Sequence, residues 1–219
     1  MQRVLFVGNS LTFWNKGVDV LVRELGGFTS ERIVEPGASL HRLWRNGTAA
    51  AKIRSGRWDW VVLQEDLPET SRAQFEEAAR AFAKVSAAAH ARLILYMAWA
   101  YDRLPTRHDE IVRAHVAIAA ELGCAVAPVG AAFAQVREAR SDTTLQLLEP
   151  DDEHPTMAGT YLAALVIYAT LNRGVLPPTL LDRCLPPGVD METARELRET
   201  ALTAIARWDH HKGENRHLV

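Results

Sequence analysis

A serine, a histidine and an aspartate stand at positions that could together make an alcohol nucleophilic. Ser10 lies in the segment VLFVGNSLT at 4–12, where an apolar run ends in a turn of small residues. His154 lies in DDEHP at 151–155, three residues after Asp151. At this spacing the carboxylate can bind one ring nitrogen of the histidine, and the other nitrogen can take a proton from a serine. These residues predict a serine-dependent hydrolase.

Other interpretations of the same residues remain open. A serine after a strand is commonly a turn or cap residue. The glycine-flanked elbow Gly-x-Ser-x-Gly is not present, because Thr12 stands two residues after Ser10. A Walker-type glycine-lysine loop is also absent from the sequence. A phosphate or nucleotide binder of flavodoxin type would use Ser10 and Thr12, but it leaves the 151–155 segment unexplained.

Apolar runs alternate with helical patterns along the chain, which positions these residues. The predicted strands are 3–7, 32–34, 60–63, 93–96 and 125–128. The predicted helices are 17–25, 40–55, 71–89, 109–122, 130–140, 156–171 and 191–208. Such alternation predicts an α/β fold, with a parallel sheet of about five strands between two layers of helices. The loops after the strands then share one edge, where ligands bind.

The two motifs together resemble the SGNH hydrolase superfamily, which includes the GDSL-type esterases and lipases. The resemblance rests on GNSLT at 8–12 and on Asp151-x-x-His154-Pro155, and it spans 4–171. The family's first motif usually reads Gly-Asp-Ser, so Asn9 replaces an aspartate here. The resemblance implies a three-layer α/β/α sandwich and a triad of Ser10, His154 and Asp151.

The resemblance also implies an oxyanion hole. Gly37, in EPGAS at 35–39, fits the family's glycine donor, although a plain turn glycine is the alternative. The family usually has Gly-x-Asn-Asp after the third strand, and this chain has no such asparagine there. Gln64 is the nearby amide, so we expect the N–H groups of Ser10 and Gly37 and the Gln64 amide to bind the oxyanion. Glu65 and Asp66 are interpreted as loop acids.

Four further side chains are candidates for the substrate pocket. Asn9 precedes the nucleophile and Trp14 follows it by four residues, while Trp99 and Tyr101 come after the fourth strand. Aromatic rings there could contact a sugar face or an acyl chain, or could pack in the core.

Composition places the chain among ordinary globular proteins. It has 219 residues, 48% hydrophobic and 24% charged, with a net charge of −2 and two cysteines. We therefore expect a single domain over 1–219 with a flexible tail at about 210–219, no nucleic-acid or membrane partner and no disulfide framework. No secretory signal is evident, so a cytoplasmic setting is expected. The histidines show no metal-ligand spacing, and no metal or cofactor is expected.

The sequence thus predicts hydrolysis of a short-acyl or acetyl ester of a small alcohol or carbohydrate, with this small molecule as the partner. Because the usual oxyanion asparagine is missing, a non-catalytic ligand-binding protein of the same fold is an alternative, beside the flavodoxin-type binder.

Overall fold

The structure is a computed structural model that describes residues 1–67, 69–101, 103–104, 107–139, 145–181 and 183–215, with side chains described as far as Asp209. The end of the predicted helix at Arg140 and the last residues of the predicted tail, 216–219, lie outside this part of the chain.

Five parallel strands form one sheet, which confirms the predicted α/β class. The strands, labelled β1 to β5, are Gln2–Gly8, Phe28–Val34, Trp60–Glu65, Arg92–Met97 and Ala125–Ala127. Their order across the sheet is β2-β1-β3-β4-β5, and every pairing is parallel. The order reverses between β1 and β3, so the carboxyl ends of these two strands flank the crevice where such sheets bind ligands.

Strand β2 begins four residues earlier than the sequence pattern predicted. It has one neighbour, β1, so it lies at the edge of the sheet. Its residues Phe28–Val34 are mostly polar and partly exposed. An edge strand needs no continuous apolar run, and the pattern therefore detected only its apolar end.

Helices cover both faces of the sheet, which confirms the three-layer sandwich. Successive side chains along each strand point to opposite faces of the sheet. In β1, Val4 and Phe6 belong to one cluster of buried side chains, and Leu5 and Val7 belong to the other. The helices, labelled α1 to α9, are Ser10–Phe13, Val18–Leu25, Leu40–Asn46, Thr48–Ser55, Arg72–Ala88, His108–Leu122, Val129–Ala139, Met157–Leu171 and Met191–Asn215. Side chains of α2, α7, α8 and α9 enter the first cluster, and those of α3 to α6 enter the second.

Two predicted helices differ in extent from those of the structure. The stretch 40–55 forms two helices, α3 and α4, because Gly47 between them has a φ of +77°. A left-handed residue interrupts helical hydrogen bonding and favours glycine. Helix α9 continues to Asn215, beyond its predicted end at 208 and into the stretch expected to be a tail. Of the helices described, none has the length and apolar character that crossing a bilayer requires.

Candidate active site

The turn after β1 presents Ser10 as the first residue of the short helix α1. Asn9 caps this helix, since its side-chain oxygen accepts a hydrogen bond from the Leu11 N–H at 3.1 Å. The Ser10 N–H is a first-turn donor, which has no acceptor inside a helix. Ser10 thus places a hydroxyl and a first-turn backbone donor at the crevice between β1 and β3.

Gln64, near the end of β3, holds this turn through side-chain hydrogen bonds. Its Oε1 accepts hydrogen bonds from the Asn9 N–H at 2.8 Å and from the Thr12 hydroxyl at 3.0 Å. Its Nε2 is buried and has no partner among the described residues. A Cβ at Gly8 would lie 2.5 Å from Gln64 Oε1, so this approach requires glycine at position 8. Gln64 therefore positions the turn that contains Ser10 and retains one unused donor.

His154 and Asp151 are joined as the sequence predicted. His154 Nδ1 lies 2.7 Å from Asp151 Oδ2, and Asp151 Oδ1 accepts the backbone N–H groups of His154 at 2.9 Å and Glu153 at 3.0 Å. Partial burial acts to raise the pKa of Asp151, but these hydrogen bonds outweigh it and hold that pKa below its usual value. An ionised carboxylate on Nδ1 requires the proton to be on Nδ1, which leaves Nε2 as the basic nitrogen.

The loop that contains His154 is attached to the chain directly after Ser10. The Trp14 ring stacks on the His154 ring, with centroids 4.0 Å apart and an interplanar angle of 30°. The Asn15 side-chain amide donates to Glu149 Oε1 at 2.8 Å and to the Pro155 carbonyl at 2.6 Å.

Trp14 is also bonded to Ser10, because its N–H donates to the Ser10 carbonyl at 2.8 Å. The imidazole therefore lies beside the helical turn that begins with Ser10. Hydrogen bonds in the described part of the chain do not include one between Ser10 and His154. Such bonds are often long in free enzymes and tighten when substrate binds.

Gly37 lies in a tight turn after β2. The Ala38 N–H donates to the Glu35 carbonyl at 3.1 Å, and Gly37 has a φ of +62°, so the turn requires glycine there. The Glu35 N–H donates to the Gly8 carbonyl at 3.3 Å, which brings this turn next to the end of β1. Within the described residues the Gly37 N–H has no acceptor. A backbone donor that is to bind a ligand has to be available in this way.

Trp99 and Tyr101 are buried side chains. Trp99 is 1% exposed, stacks on Phe133 with centroids 4.3 Å apart and donates from Nε1 to the Glu153 carbonyl at 3.0 Å. Tyr101 is fully buried, and its hydroxyl donates to Asp66 Oδ1 at 2.5 Å. These rings support the loops of the site. A substrate contact from either one stays a prediction and requires those loops to move.

Comparisons with known proteins identify the family. No family model matches the chain, and no curated protein does. Among solved structures, a protein from Slackia heliotrinireducens assigned to the SGNH hydrolases is 30% identical, with a TM-score of 0.67. The alignment covers 78% of this chain and 98% of that one. This chain belongs to the SGNH hydrolase superfamily.

Other SGNH-like structures share the fold at lower identity. The lipase/acylhydrolase from Enterococcus faecalis is 18% identical over 81% of this chain and 98% of its own, with a TM-score of 0.61. The acetyl xylan esterase AlAXEase is 15% identical over 76% of this chain and 98% of its own, with a TM-score of 0.65. At these identities the likeness shows the fold alone.

This SGNH hydrolase holds two buried acids, Glu65 and Asp66, which the sequence interpretation took as loop acids. Glu65 is the last residue of β3, and its carboxylate accepts the N–H groups of Leu40 and Asp66, each at 3.0 Å. Burial raises the pKa of Glu65 to about 7 and that of Asp66 to about 6. The signal in the sequence was the apolar run at 60–63, which these acids follow after Gln64.

Asn15 and Arg103 are two further residues that the sequence did not single out. Asn15 binds Glu149 and the Pro155 carbonyl, as described above. The Arg103 N–H donates to the Asp152 carboxylate, and the Arg103 guanidinium pairs with Glu69. Both therefore stabilise the histidine loop from outside. No group of three or more potential metal ligands occurs in the described part of this SGNH hydrolase.

Proposed function

We propose that the protein hydrolyses carboxylic esters through a covalent acyl-enzyme, with Ser10 as nucleophile, His154 as base and Asp151 as the orienting acid. The observation that supports this most directly is the 2.7 Å bond between His154 Nδ1 and Asp151 on a loop stacked against Trp14. It leaves Nε2 as the proton acceptor beside the helix that begins at Ser10.

In the proposed reaction, His154 Nε2 removes the Ser10 hydroxyl proton as Oγ attacks the acyl carbonyl. The ionised Asp151 stabilises the imidazolium that forms, through its bond to Nδ1. His154 then gives the proton to the leaving alcohol. In the second half, His154 activates a water molecule, which attacks the acyl-enzyme and releases the acid.

The negative charge that develops on the carbonyl oxygen needs donors. We assign the N–H groups of Ser10 and Gly37, and support comes from the lack of any intramolecular acceptor for the Gly37 N–H within the described residues. Gln64 Nε2 is the third candidate donor, because it too has no partner there. Since Nε2 is enclosed, an oxyanion reaches it only by entering between the nucleophile turn and β3.

For the substrate, we propose a short-acyl or acetyl ester of a small alcohol or carbohydrate. The acetyl xylan esterase among the structural neighbours supports such a substrate by fold likeness alone. The exposed Trp14 edge, 37% accessible, offers an aromatic surface next to His154. Rings of this kind pack well against the apolar face of a sugar.

The test is covalent labelling of Ser10 by a fluorophosphonate probe, with hydrolysis of p-nitrophenyl acetate measured in parallel. Ser10→Ala should lose labelling and lower turnover by several orders of magnitude while its thermal unfolding stays near that of the parent. More than a tenth of the parent turnover in Ser10→Ala would exclude Ser10 as nucleophile. Absence of labelling in the parent protein would favour a non-catalytic binder of the same fold.

A further inference from the structure

A chain of buried hydrogen bonds runs from the nucleophile turn to the far side of β3. Asn9 donates from Nδ2 to Asp66 Oδ2 at 3.4 Å, and the Tyr101 hydroxyl donates to Asp66 Oδ1 at 2.5 Å. Asn9, Asp66 and Tyr101 are 1%, 5% and 0% exposed. The proposed reaction above uses neither Asp66 nor Tyr101.

The orientation of the Asn9 amide follows from its own bonds. Its Oδ1 accepts the Leu11 N–H at 3.1 Å as the cap of α1, so Nδ2 must point the other way, toward Asp66. The Asn9 backbone N–H is held as well, by Gln64 Oε1 at 2.8 Å. Both sides of the residue before Ser10 are therefore attached to the end of β3.

Asp66 is anchored as an acceptor. Its backbone carbonyl accepts the N–H groups of Thr70 at 2.8 Å and Glu69 at 3.0 Å, and its own N–H donates to Glu65 Oε1 at 3.0 Å. These bonds fix the Asp66 backbone directly after β3. Burial, together with the nearby Glu153 and Glu69, raises the pKa of Asp66 to about 6, while the hydrogen bonds from Tyr101 and Asn9 favour its ionised form.

We propose that Asp66 is a positioning residue that acts through Asn9, and that the two form a matched donor and acceptor pair which holds Ser10 in place for attack. This inference rests on the proposed ester hydrolysis. It also explains the departure from the Gly-Asp-Ser motif. An aspartate at position 9 would still cap α1, but its second oxygen would face the buried Asp66 carboxylate, and two like charges would repel.

The test exchanges the two residues. Asn9→Asp alone should lower kcat by about 100-fold with little change in KM, because a shift of the nucleophile by about 1 Å has an effect of this size. Asp66→Asn leaves one acceptor oxygen for two donors, Asn9 Nδ2 and the Tyr101 hydroxyl. One of the two loses its acceptor, and kcat should fall by at least about tenfold. The double variant Asn9→Asp/Asp66→Asn restores one donor and one acceptor, and its kcat should return to within about tenfold of the parent.

The matched control is Asp19→Asn. Asp19 is also a buried aspartate, 3% exposed, but its carboxylate binds Arg32 at 2.9 Å and does not contact the nucleophile turn. This variant should lower the unfolding temperature without changing kcat. If Asp66 had a purely structural role, Asp66→Asn would behave like this control. It would lose stability and keep an unchanged kcat in its folded fraction.

Three outcomes would overturn the pairing: an active Asn9→Asp single variant, a double variant no better than the weaker single one, or a double variant that does not fold. If the single variants fail to fold, a folded and active double variant supports it. Urea unfolding of all four proteins measures the same coupling without substrate. Retained hydrolysis by Ser10→Ala would therefore refute the proposed function and leave the pairing to be decided by stability.

Discussion

At the scale of single residues, neighbouring acids around His154 have different tasks. Asp151 binds the ring and two backbone N–H groups. Asp152 has a φ of +62°, and its carboxylate accepts the Arg103 N–H. Glu153 offers its carbonyl to Trp99. Charge is the same in each case, and hydrogen-bond geometry alone distinguishes them.

The two aspartates should therefore differ in their effect on catalysis. Asp151→Asn should lower kcat by on the order of 1,000-fold or more, because an amide does not stabilise the imidazolium or select its tautomer. Asp152→Asn is the matched control and should lower kcat by less than about tenfold, since an amide oxygen still accepts the Arg103 N–H. Steady-state kinetics on p-nitrophenyl acetate measures both. Equal losses, or a larger loss for Asp152→Asn, would contradict the assignment of Asp151.

Gln64 offers two functions in one side chain, and a single substitution separates them. Gln64→Glu keeps an oxygen for the Asn9 N–H and the Thr12 hydroxyl but removes the Nε2 donor. If Nε2 binds the oxyanion, kcat should fall by about 100- to 1,000-fold with KM little changed. Gln64→Met removes acceptor and donor together and should also lower the unfolding temperature. Near-parent kcat in Gln64→Glu would restrict Gln64 to supporting the turn.

At the scale of secondary-structure elements, α6 holds a buried histidine against α5. His115 is 1% exposed, its Nδ1 bonds to the Ile111 carbonyl at 2.8 Å, and its ring lies 4.9 Å from that of Phe75. Its Nε2 is buried without a partner among the described residues. Burial lowers the pKa of His115 to about 4, because a charged imidazolium would lack solvation there.

This histidine should make the packing of α5 on α6 sensitive to acid. Its folded-state pKa lies below the unfolded value of about 6.5, so its stabilising contribution is complete above that value and is lost as the pH falls toward 4. Replacing it with a residue of similar volume, His115→Met, should remove about 2 kcal/mol of the acid destabilisation between pH 7 and pH 4.5. Urea unfolding of both proteins at the two pH values measures the difference.

The comparison between the two proteins is needed because the raised pKa values of Glu65 and Asp66 act in the opposite direction. A carboxyl whose pKa is higher in the folded state is destabilising once the pH rises above its unfolded pKa, and this effect is common to both proteins. Parallel pH profiles for the parent and His115→Met would show that His115 is not buried in its neutral form.

At the scale of the whole molecule, helix α8 connects the core to the candidate active site. It follows the histidine loop directly, is buried along almost its entire length and packs against α2, α7 and α9. Thr156 caps it, with its hydroxyl accepting the Gly159 N–H at 3.2 Å. The Thr156 N–H donates to the Leu147 carbonyl at 2.9 Å, and Leu148 pairs with Pro155. A shift of this helix must therefore move the loop that contains His154.

Gly159→Ala tests this connection. A Cβ at position 159 would lie 2.2 Å from the Leu147 carbonyl oxygen, so either the helix or the loop has to move. We expect a loss of about 1–3 kcal/mol in the free energy of unfolding and a fall in kcat of about 10- to 100-fold. The matched control, Ala163→Gly, lies in the same helix and should reduce stability by about 1 kcal/mol without lowering kcat. Equal kcat values in the two variants would show that the loop does not depend on the helix.

Much of the fold and the contact between Asp151 and His154 were predictable from the sequence by itself. Apolar runs and helical spacing predicted the five parallel strands and the helices on both faces, because the period of burial follows directly from backbone geometry. The spacing of Asp151 and His154 predicted their hydrogen bond, since both lie within one short turn. Edge strand β2 was predicted too short because solvent on its exposed side weakens the apolar pattern.

The tertiary structure alone decided which distant side chains meet. Asn9 and Asp66 are 57 positions apart, and Trp14 and His154 are 140 apart, so no local pattern relates either pair. The burial of Glu65 and Asp66, and the use of Gln64 Oε1 by the nucleophile turn, follow from β3 lying beside β1 in the sheet. Local periodicity specifies the elements of a chain, whereas the environment of a polar group depends on every element that packs against it.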